Sequence, residues 1–146
     1  RMLAQKIKAY YEDKGGVQGK TLAMWGLAFK ANTDDMRESA AIDIINELSQ
    51  AGMNIRAYDP QAGKPAKELF SGNELVDISA RQYGILDGAD ALAIVTDWNQ
   101  FRNPDFDRIK NALKTPLIFD GRNLYAAQDL QDAGFAYFGV GRATQI

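Results

Sequence analysis

Apolar positions along the chain switch repeatedly between helical spacing and short unbroken runs. Leu3, Ile7 and the Tyr10-Tyr11 pair recur on one helix face over residues 2–12, and Gly15-Gly16 closes that segment. Residues 21–27 (TLAMWGL) follow the Gln18-Gly19-Lys20 turn as an apolar run, the pattern of a strand buried on both faces. A polar loop over residues 30–35 comes next. Asp35 and Glu38 then stand in capping-box register, and Ala41, Ile42, Ile45 and Leu48 form an apolar stripe that ends at Gly52. Together they predict a helix capped by Asp35.

The same grammar continues. Residues 54–58 (NIRAY) alternate as a strand and stop at Asp59-Pro60, residues 61–70 suit a short helix, and residues 74–76 a brief strand. A helix is expected over 79–86, with Gly88 beyond it, then an apolar strand over 91–95 and a helix over 105–113. Pro116 and Gly121 bracket a strand at 117–120; a helix over 126–133 ends at Gly134, and a last strand spans 135–140. Strands alternating with helices through short connections predict an α/β fold: a three-layer Rossmann-like domain with a mostly parallel sheet of five or six strands and helices on both faces. The one seam is near Gly15-Gly16, where the first helix belongs to a neighbouring element or leads into the domain. In such sheets ligands sit beyond the carboxyl ends of the strands, which directs attention to residues 28–37, 59–60, 96–98 and 121–123.

Composition narrows the chemistry. The 146 residues suit a single domain with a real core. Seventeen basic against nineteen acidic residues leave a charge of −2, which argues against a dedicated nucleic-acid binder. There is no cysteine and no histidine, so the chain itself offers no disulfide, no thiolate nucleophile, no histidine acid–base group and no zinc site of the usual ligands. The missing cysteine fits a reducing, cytoplasmic setting. No apolar run approaches the length that spans a bilayer, so no membrane is expected. Arg1 is an unusual start, as expected of a fragment of something longer.

Several groups suit an anionic ligand. The loop from Gly26 to Ser39 carries Phe29, Lys30 and Arg37 ahead of a helix start, where a point charge, a planar guanidinium and free N–H groups suit phosphate. The same residues also suit a solvated loop in which Lys30 and Arg37 pair with Asp34 and Asp35. The loop has neither the G-x-G-x-x-G spacing of a dinucleotide site nor a Walker A pattern. Asp59 stands where a ribose-binding acid would, but without those glycines the Asp-Pro turn is the stronger reading. Arg122, in Gly121-Arg122-Asn123, is either an anion anchor at a strand end or an exposed residue of a tight turn. Trp98, Phe101 and Phe106 suit core or rim packing better than base stacking. Lys6, Lys8, Lys14 and Lys20 suit a solvated face.

Three blocks resemble a known family. The run Gly26-Leu27-Ala28-Phe29-Lys30-Ala31-Asn32-Thr33-Asp34-Asp35-Met36-Arg37-Glu38-Ser39 is similar to the signature opening the C-terminal domain of the nucleotide-sugar dehydrogenases. Thr96-Asp97-Trp98-Asn99-Gln100-Phe101 and Phe119-Asp120-Gly121-Arg122-Asn123-Leu124-Tyr125 resemble two further blocks of that family, in the right order and spacing across residues 18–142. Asp97-Trp98 and the complete last block resemble the branch that oxidises UDP-glucose; the GDP-mannose and UDP-N-acetyl-hexosamine branches share the first block.

The resemblance implies an enzyme with an N-terminal NAD-binding Rossmann domain, a long helical linker and a C-terminal domain for the UDP part of the substrate. Such enzymes oxidise the C6 alcohol to a carboxylate in two NAD-dependent hydride transfers through a cysteine-bound thiohemiacetal. Residues 1–16 would then be the end of the linker helix or a lead-in, and residues 17–146 the UDP-sugar-binding domain. Phe29 and Lys30 would line the UDP-sugar pocket, with Lys30 near the diphosphate or sugar. Arg122 would contact the UDP-sugar, and Arg37 would reach toward NAD held mainly by the missing domain. No catalytic residue is assigned to this chain, and the full-length enzyme is expected to be a homo-oligomer.

Overall fold

The computed structural model describes residues 2–140. Arg1 and residues 141–146, the two extremes of the lead-in and domain expected from the sequence, lie outside the described residues. The elements run α1 (Met2–Tyr11), β1 (Thr21–Trp25), α2 (Ala40–Gln50), β2 (Asn54–Tyr58), α3 (Gly63–Leu69), β3 (Val76–Ile78), β4 (Ala91–Ile94), α4 (Phe106–Ala112), β5 (Leu117–Asp120), α5 (Ala127–Asp132) and β6 (Ala136–Gly139). Single 3-10 turns stand at Glu12–Lys14, Gly84–Leu86 and Asn99–Phe101.

All six strands pair in parallel in the order β3-β2-β1-β4-β5-β6, a Rossmann-like α/β sheet. The order reverses between β1 and β4, which open a crevice at their carboxyl ends, the switch point where α/β sheets bind ligands. The apolar runs explain why these strands sit centrally: β4 and β5 are buried at every position, as is β1 beyond Thr21.

Alternate side chains of each central strand feed two cores. Leu22 and Met24 of β1 meet Leu3 and Ile7 of α1, Ile44, Ile45 and Leu48 of α2, and Ala66 ahead of Phe70 on one face. Ala23 and Trp25 face Leu86, Phe101, Ile109 of α4 and Leu130 of α5 on the other, with Trp25 stacked on Phe101 at 5.1 Å. Each such large side chain taken from water contributes about 1.5–3 kcal/mol. α1 is thus packed into the same body as the sheet, with Leu3, Ala4, Ile7 and Tyr11 buried.

Three local expectations change. α2 begins at Ala40 rather than after Asp35, because Ser39 is its cap: the Ser39 hydroxyl accepts the Ala41 N–H at 3.1 Å and donates to the Leu27 carbonyl at 2.7 Å. Glu38 cannot serve as the third helical residue of a capping box, since it has φ +60° outside the helix. The helix expected over 79–86 shrinks to the 3-10 turn at its end. There the Ser79 hydroxyl accepts the Arg81 N–H and the Gln82 carbonyl accepts the Trp25 indole N–H, bonds that compete with a helical ladder. The brief strand lies at Val76–Ile78, two residues later than 74–76, because Asn73 holds Leu75 and Val76 in a turn first.

Candidate functional site

Two glycines let the strand ends close around β4. Gly26, just past β1, has φ +106°, and a Cβ there would lie 2.5–2.6 Å from the backbone N and side chain of Thr96. Gly121, just past β5, would bring a Cβ within 2.8 Å of the Ile94 carbonyl oxygen. Only glycine permits both approaches, so β1 and β5 close on β4 where their loops diverge.

Asp59, at the end of β2, is 5% exposed and organises three of these loops. Its Oδ2 accepts the N–H groups of Leu27 (2.7 Å) and Ala28 (3.0 Å) and the Trp98 indole N–H (3.1 Å); its Oδ1 accepts those of Gln61 and Ala62 (both 2.8 Å). The turn reading of Asp59 therefore holds and widens: the carboxylate grips the loops after β1, β2 and β4. With these donors on both oxygens it is not free to accept a ribose diol. The loop after β1 lacks dinucleotide glycines as well, so the strand ends of this chain do not fit NAD as a Rossmann dinucleotide site does.

Asp120, fully buried at the end of β5, holds a second loop. Its Oδ1 accepts Arg122 N–H at 3.0 Å, and its Oδ2 accepts Leu124 N–H at 2.7 Å, Tyr125 N–H at 3.2 Å and the Tyr137 hydroxyl at 2.6 Å. The Tyr125 hydroxyl donates in turn to the Phe101 carbonyl at 2.5 Å, and burial, reinforced by the Asp120 charge, pushes that phenol well above its ordinary pKa. The Arg122 backbone is thereby fixed while its guanidinium stays half exposed.

Arg122 lines a cleft of about 170 Å³ with Met2, Leu3, Ala40, Ile44, Val95 and Val140, joining the N-terminal ends of α1 and α2 to the strand ends. Its Nη2 lies 3.8 Å from the Asp97 carboxylate, which Arg102 approaches at 3.9 Å from another side. Neither separation is a hydrogen bond, so Arg122 keeps most of its donors. A planar cation in a part-apolar cleft can grip a phosphate or carboxylate bidentately.

Phe29, Lys30 and Arg37 lie on the β1–α2 loop and do not line that cleft. Phe29 is 46% exposed, and its N–H donates to the Asp35 carbonyl at 2.7 Å, folding the loop on itself. Among the described residues Lys30 makes no hydrogen bond or close ion pair, although its charge acts on Asp35 through space and helps to lower that carboxyl. Arg37 does pair: Nε and Nη2 donate to the two Asp35 oxygens at 3.0 and 2.9 Å, with the side chain 89% exposed. Hydrogen bonds from Arg37 hold the Asp35 carboxyl at about 2. For Arg37 the solvated-loop reading describes the chain as it stands.

The remaining candidates are structural. Trp98 and Phe101 are buried and Phe106 packs edge-on to Tyr125 and Phe135. Lys8 pairs with Glu47 at 3.2 Å, Lys14 lies over the Tyr10 ring, and Lys20 donates to the Lys14 and Gly16 carbonyls. A groove of about 640 Å³ lies between α1 and α2 at the opposite ends of the strands and holds that lysine–glutamate pair with neutral and acidic neighbours. Sequence reasoning pointed to residues 96–98 but missed the approach of Asp97 to Arg122, and it missed the bracing role of Asp120. Their signal was a carboxylate at or just past a strand end, Asp120 directly before a glycine turn. Among the described residues no group of three or more His, Cys, Asp or Glu could hold a metal, and no helix is long and apolar enough to cross a membrane.

Comparison with known proteins accounts for this layout. Residues 23–127 match the UDP binding domain of the UDP-glucose/GDP-mannose dehydrogenase family. The chain is 44% identical over 133 residues to the UDP-glucose 6-dehydrogenase of Pseudomonas aeruginosa and 43% identical over 128 residues to that of Rhizobium meliloti, covering 88% of this chain and 29% of each relative. Among solved structures, a UDP-glucose dehydrogenase from Pyrobaculum islandicum superposes with TM-score 0.71 at 28% identity, over 88% of this chain and 27% of that one. A UDP-D-ManNAc dehydrogenase from Pyrococcus horikoshii gives 0.73 at 25% identity, over 95% of this chain and 30% of that one. The chain thus spans under a third of the length of these relatives. With its three motif blocks, all-parallel sheet and cation-bearing strand ends, it belongs to the UDP-glucose/GDP-mannose dehydrogenase family, as that family's UDP-binding domain.

Proposed function

We propose that the chain is the UDP-sugar-holding part of an NAD-dependent UDP-glucose 6-dehydrogenase, which converts UDP-glucose to UDP-glucuronate in two hydride transfers. The observation that carries this reading is the strand-end face, where Asp120 fixes the Arg122 backbone and Lys30 keeps its hydrogen-bond donors, on a domain of this family. A diphosphate takes charge-assisted hydrogen bonds from both kinds of cation. In this reading Arg122 contacts the UDP-sugar, Lys30 lies near its diphosphate or sugar, and Phe29 supplies apolar surface beside it. Arg37 exchanges Asp35 for contact with NAD, which is bound mainly by an N-terminal domain outside this chain.

Residues 1–16 act as the end of the linker helix or a lead-in, and residues 17–146 as the UDP-sugar domain of a cytoplasmic homo-oligomer serving polysaccharide biosynthesis. The chain contributes grip and orientation, and it is inert alone: it contains no cysteine to form the thiohemiacetal. Calorimetric titration with UDP-glucose, UDP-N-acetylglucosamine and GDP-mannose tests the assignment. Binding of UDP-glucose above the other two supports it. Preference for GDP-mannose or the N-acetyl sugar moves the chain to another branch of the family, and heat from none of them overturns the binding role. NADH formation by this chain with UDP-glucose and NAD would refute the divided site.

A further inference from the structure

We infer that Asp59 is a positioning residue of the UDP-sugar face, a carboxylate that, alongside the Thr96 hydroxyl's bond to the Ala28 carbonyl at 2.9 Å, sets the β1–α2 loop of Lys30 against the β4 loop, whose Asp97 stands beside Arg122, so that Lys30 and Arg122 meet one ligand. The inference rests on the UDP-binding reading above and goes beyond it, since Asp59 touches no ligand in that reading and acts through its neighbours. Its donors identify those neighbours. The Leu27 and Ala28 N–H groups stand directly before Phe29 and Lys30, and the Trp98 indole belongs to the residue after Asp97, the carboxylate between Arg122 and Arg102. Gln61 and Ala62 tie the same carboxylate to its own strand end ahead of α3.

The chemistry requires an anion with two acceptor oxygens. A buried carboxylate that accepts several N–H groups is strongly favoured over its neutral isostere, whose amide would turn two hydrogens toward donors. In Asp59→Asn one side of the clasp must face donor against donor: either the Gln61-Ala62 pair or the Leu27-Ala28-Trp98 set. The second outcome releases Lys30 and Asp97 together. Where a dinucleotide domain uses a strand-end acid to hold ribose, this chain uses one to hold its own loops.

The test compares UDP affinity and amide exchange in wild type, Asp59→Asn, Trp98→Phe and Leu48→Ala. Leu48→Ala opens a cavity in the core toward the far end of α2 and controls for loss of stability alone. All titrations are run where near-ultraviolet circular dichroism shows the chain folded. Asp59→Asn should weaken UDP binding by about tenfold or more, the effect of losing a charged hydrogen-bond partner, while Leu48→Ala stays within about twofold. Trp98→Phe removes the indole donor together with part of a buried ring, and should weaken binding by a few-fold, with faster exchange at Leu27 and Ala28 than the cavity in Leu48→Ala produces. If Asp59→Asn does not fold, Trp98→Phe decides. Wild-type affinity in the folded Asp59 or Trp98 variant overturns the inference, as does a loss matched by Leu48→Ala. A wild-type chain that binds no UDP defeats the functional reading instead. The clasp is then judged by exchange: faster opening at Leu27 and Ala28 in Asp59→Asn than in Leu48→Ala sustains it, and equal rates reject it.

Discussion

The two loops that present cations are built in opposite ways. The β5–α5 turn is short and anchored at its root: Asp120 accepts the N–H groups of Arg122, Leu124 and Tyr125, and Asn123 takes the left-handed position at φ +55° that its side chain tolerates. The β1–α2 loop is long and is held at its two ends, by Asp59 at Leu27-Ala28 and by Ser39 at the start of α2. Between those ends it leans on itself through Phe29 and Asp35, and it carries Glu38 at φ +60°, where a side chain is strained. The Arg122 backbone is therefore held by its immediate neighbours, whereas the backbone leading to Lys30 is held by Asp59 and the Thr96 hydroxyl, at the ends of other strands. A precise anchor beside an adjustable one suits a ligand held at one end and closed upon at the other.

The comparison breaks most severely at the closure both loops share. Gly26→Ala would force a Cβ into Thr96 at φ +106°, and several kcal/mol of destabilisation follow from such overlap and strain. Thermal melting should drop by more than about 10 °C, at roughly 2–4 °C per kcal/mol for a domain of this size. A variant that melts like wild type would mean the strand ends have slack.

Next comes the root of the short turn. Asp120→Asn leaves buried donors facing an amide and should cost about 1.5–3 kcal/mol, whereas Tyr137→Phe removes a hydroxyl shared between Asp120 and the Tyr125 carbonyl for about 1 kcal/mol. Denaturant midpoints measure both, and a reversed order would deny Asp120 its role as the hub. In the long loop the sign changes. Glu38→Gly removes a left-handed penalty and should stabilise the fold by about 1 kcal/mol or less, net of the greater freedom of glycine when unfolded. A lower melting temperature would show that the Glu38 side chain has a role of its own.

The smallest effect is electrostatic. Asp35 is held at about 2 in the folded chain by Arg37, below its ordinary value of 3.8. A depressed carboxylate stabilises the fold above its unfolded pKa, and that contribution is lost as pH falls through the folded value, here between about 4 and 2. The pair is exposed, so the change in stability is slight. Carboxyl NMR titration reads it directly: Arg37→Ala should return Asp35 toward the ordinary range, and an unmoved titration would break the assigned pair.

These contrasts also explain what the sequence made legible. Continuous apolar runs in β1, β4 and β5 marked strands covered on both faces, and from them came the α/β class and the strand ends as the place to look. Capping was misread because Asp35 and Glu38 satisfy the capping-box spacing while Ser39 satisfies the geometry, being the residue that also reaches the Leu27 carbonyl across the fold. The 79–86 segment failed as a helix for a similar reason, since the Trp25 indole claims the Gln82 carbonyl from another element. Arg122 was visible as a cation after a strand, but its partner Asp97 was not, because their approach depends on β4 and β5 being neighbours. Asp59 read as a turn residue locally; its grip on Leu27 and Trp98 is a property of the sheet order.

The most direct measurement is calorimetric titration of UDP into wild type, Arg122→Ala and Lys30→Ala. If both loops hold one ligand, wild type binds with an affinity that falls as salt rises, and each substitution weakens binding by about tenfold or more, as expected for a lost charge-assisted hydrogen bond. Arg122, whose backbone is braced by Asp120, should show the larger loss. Wild-type affinity in both variants would contradict the account, because the strand-end cations would then take no part in binding UDP.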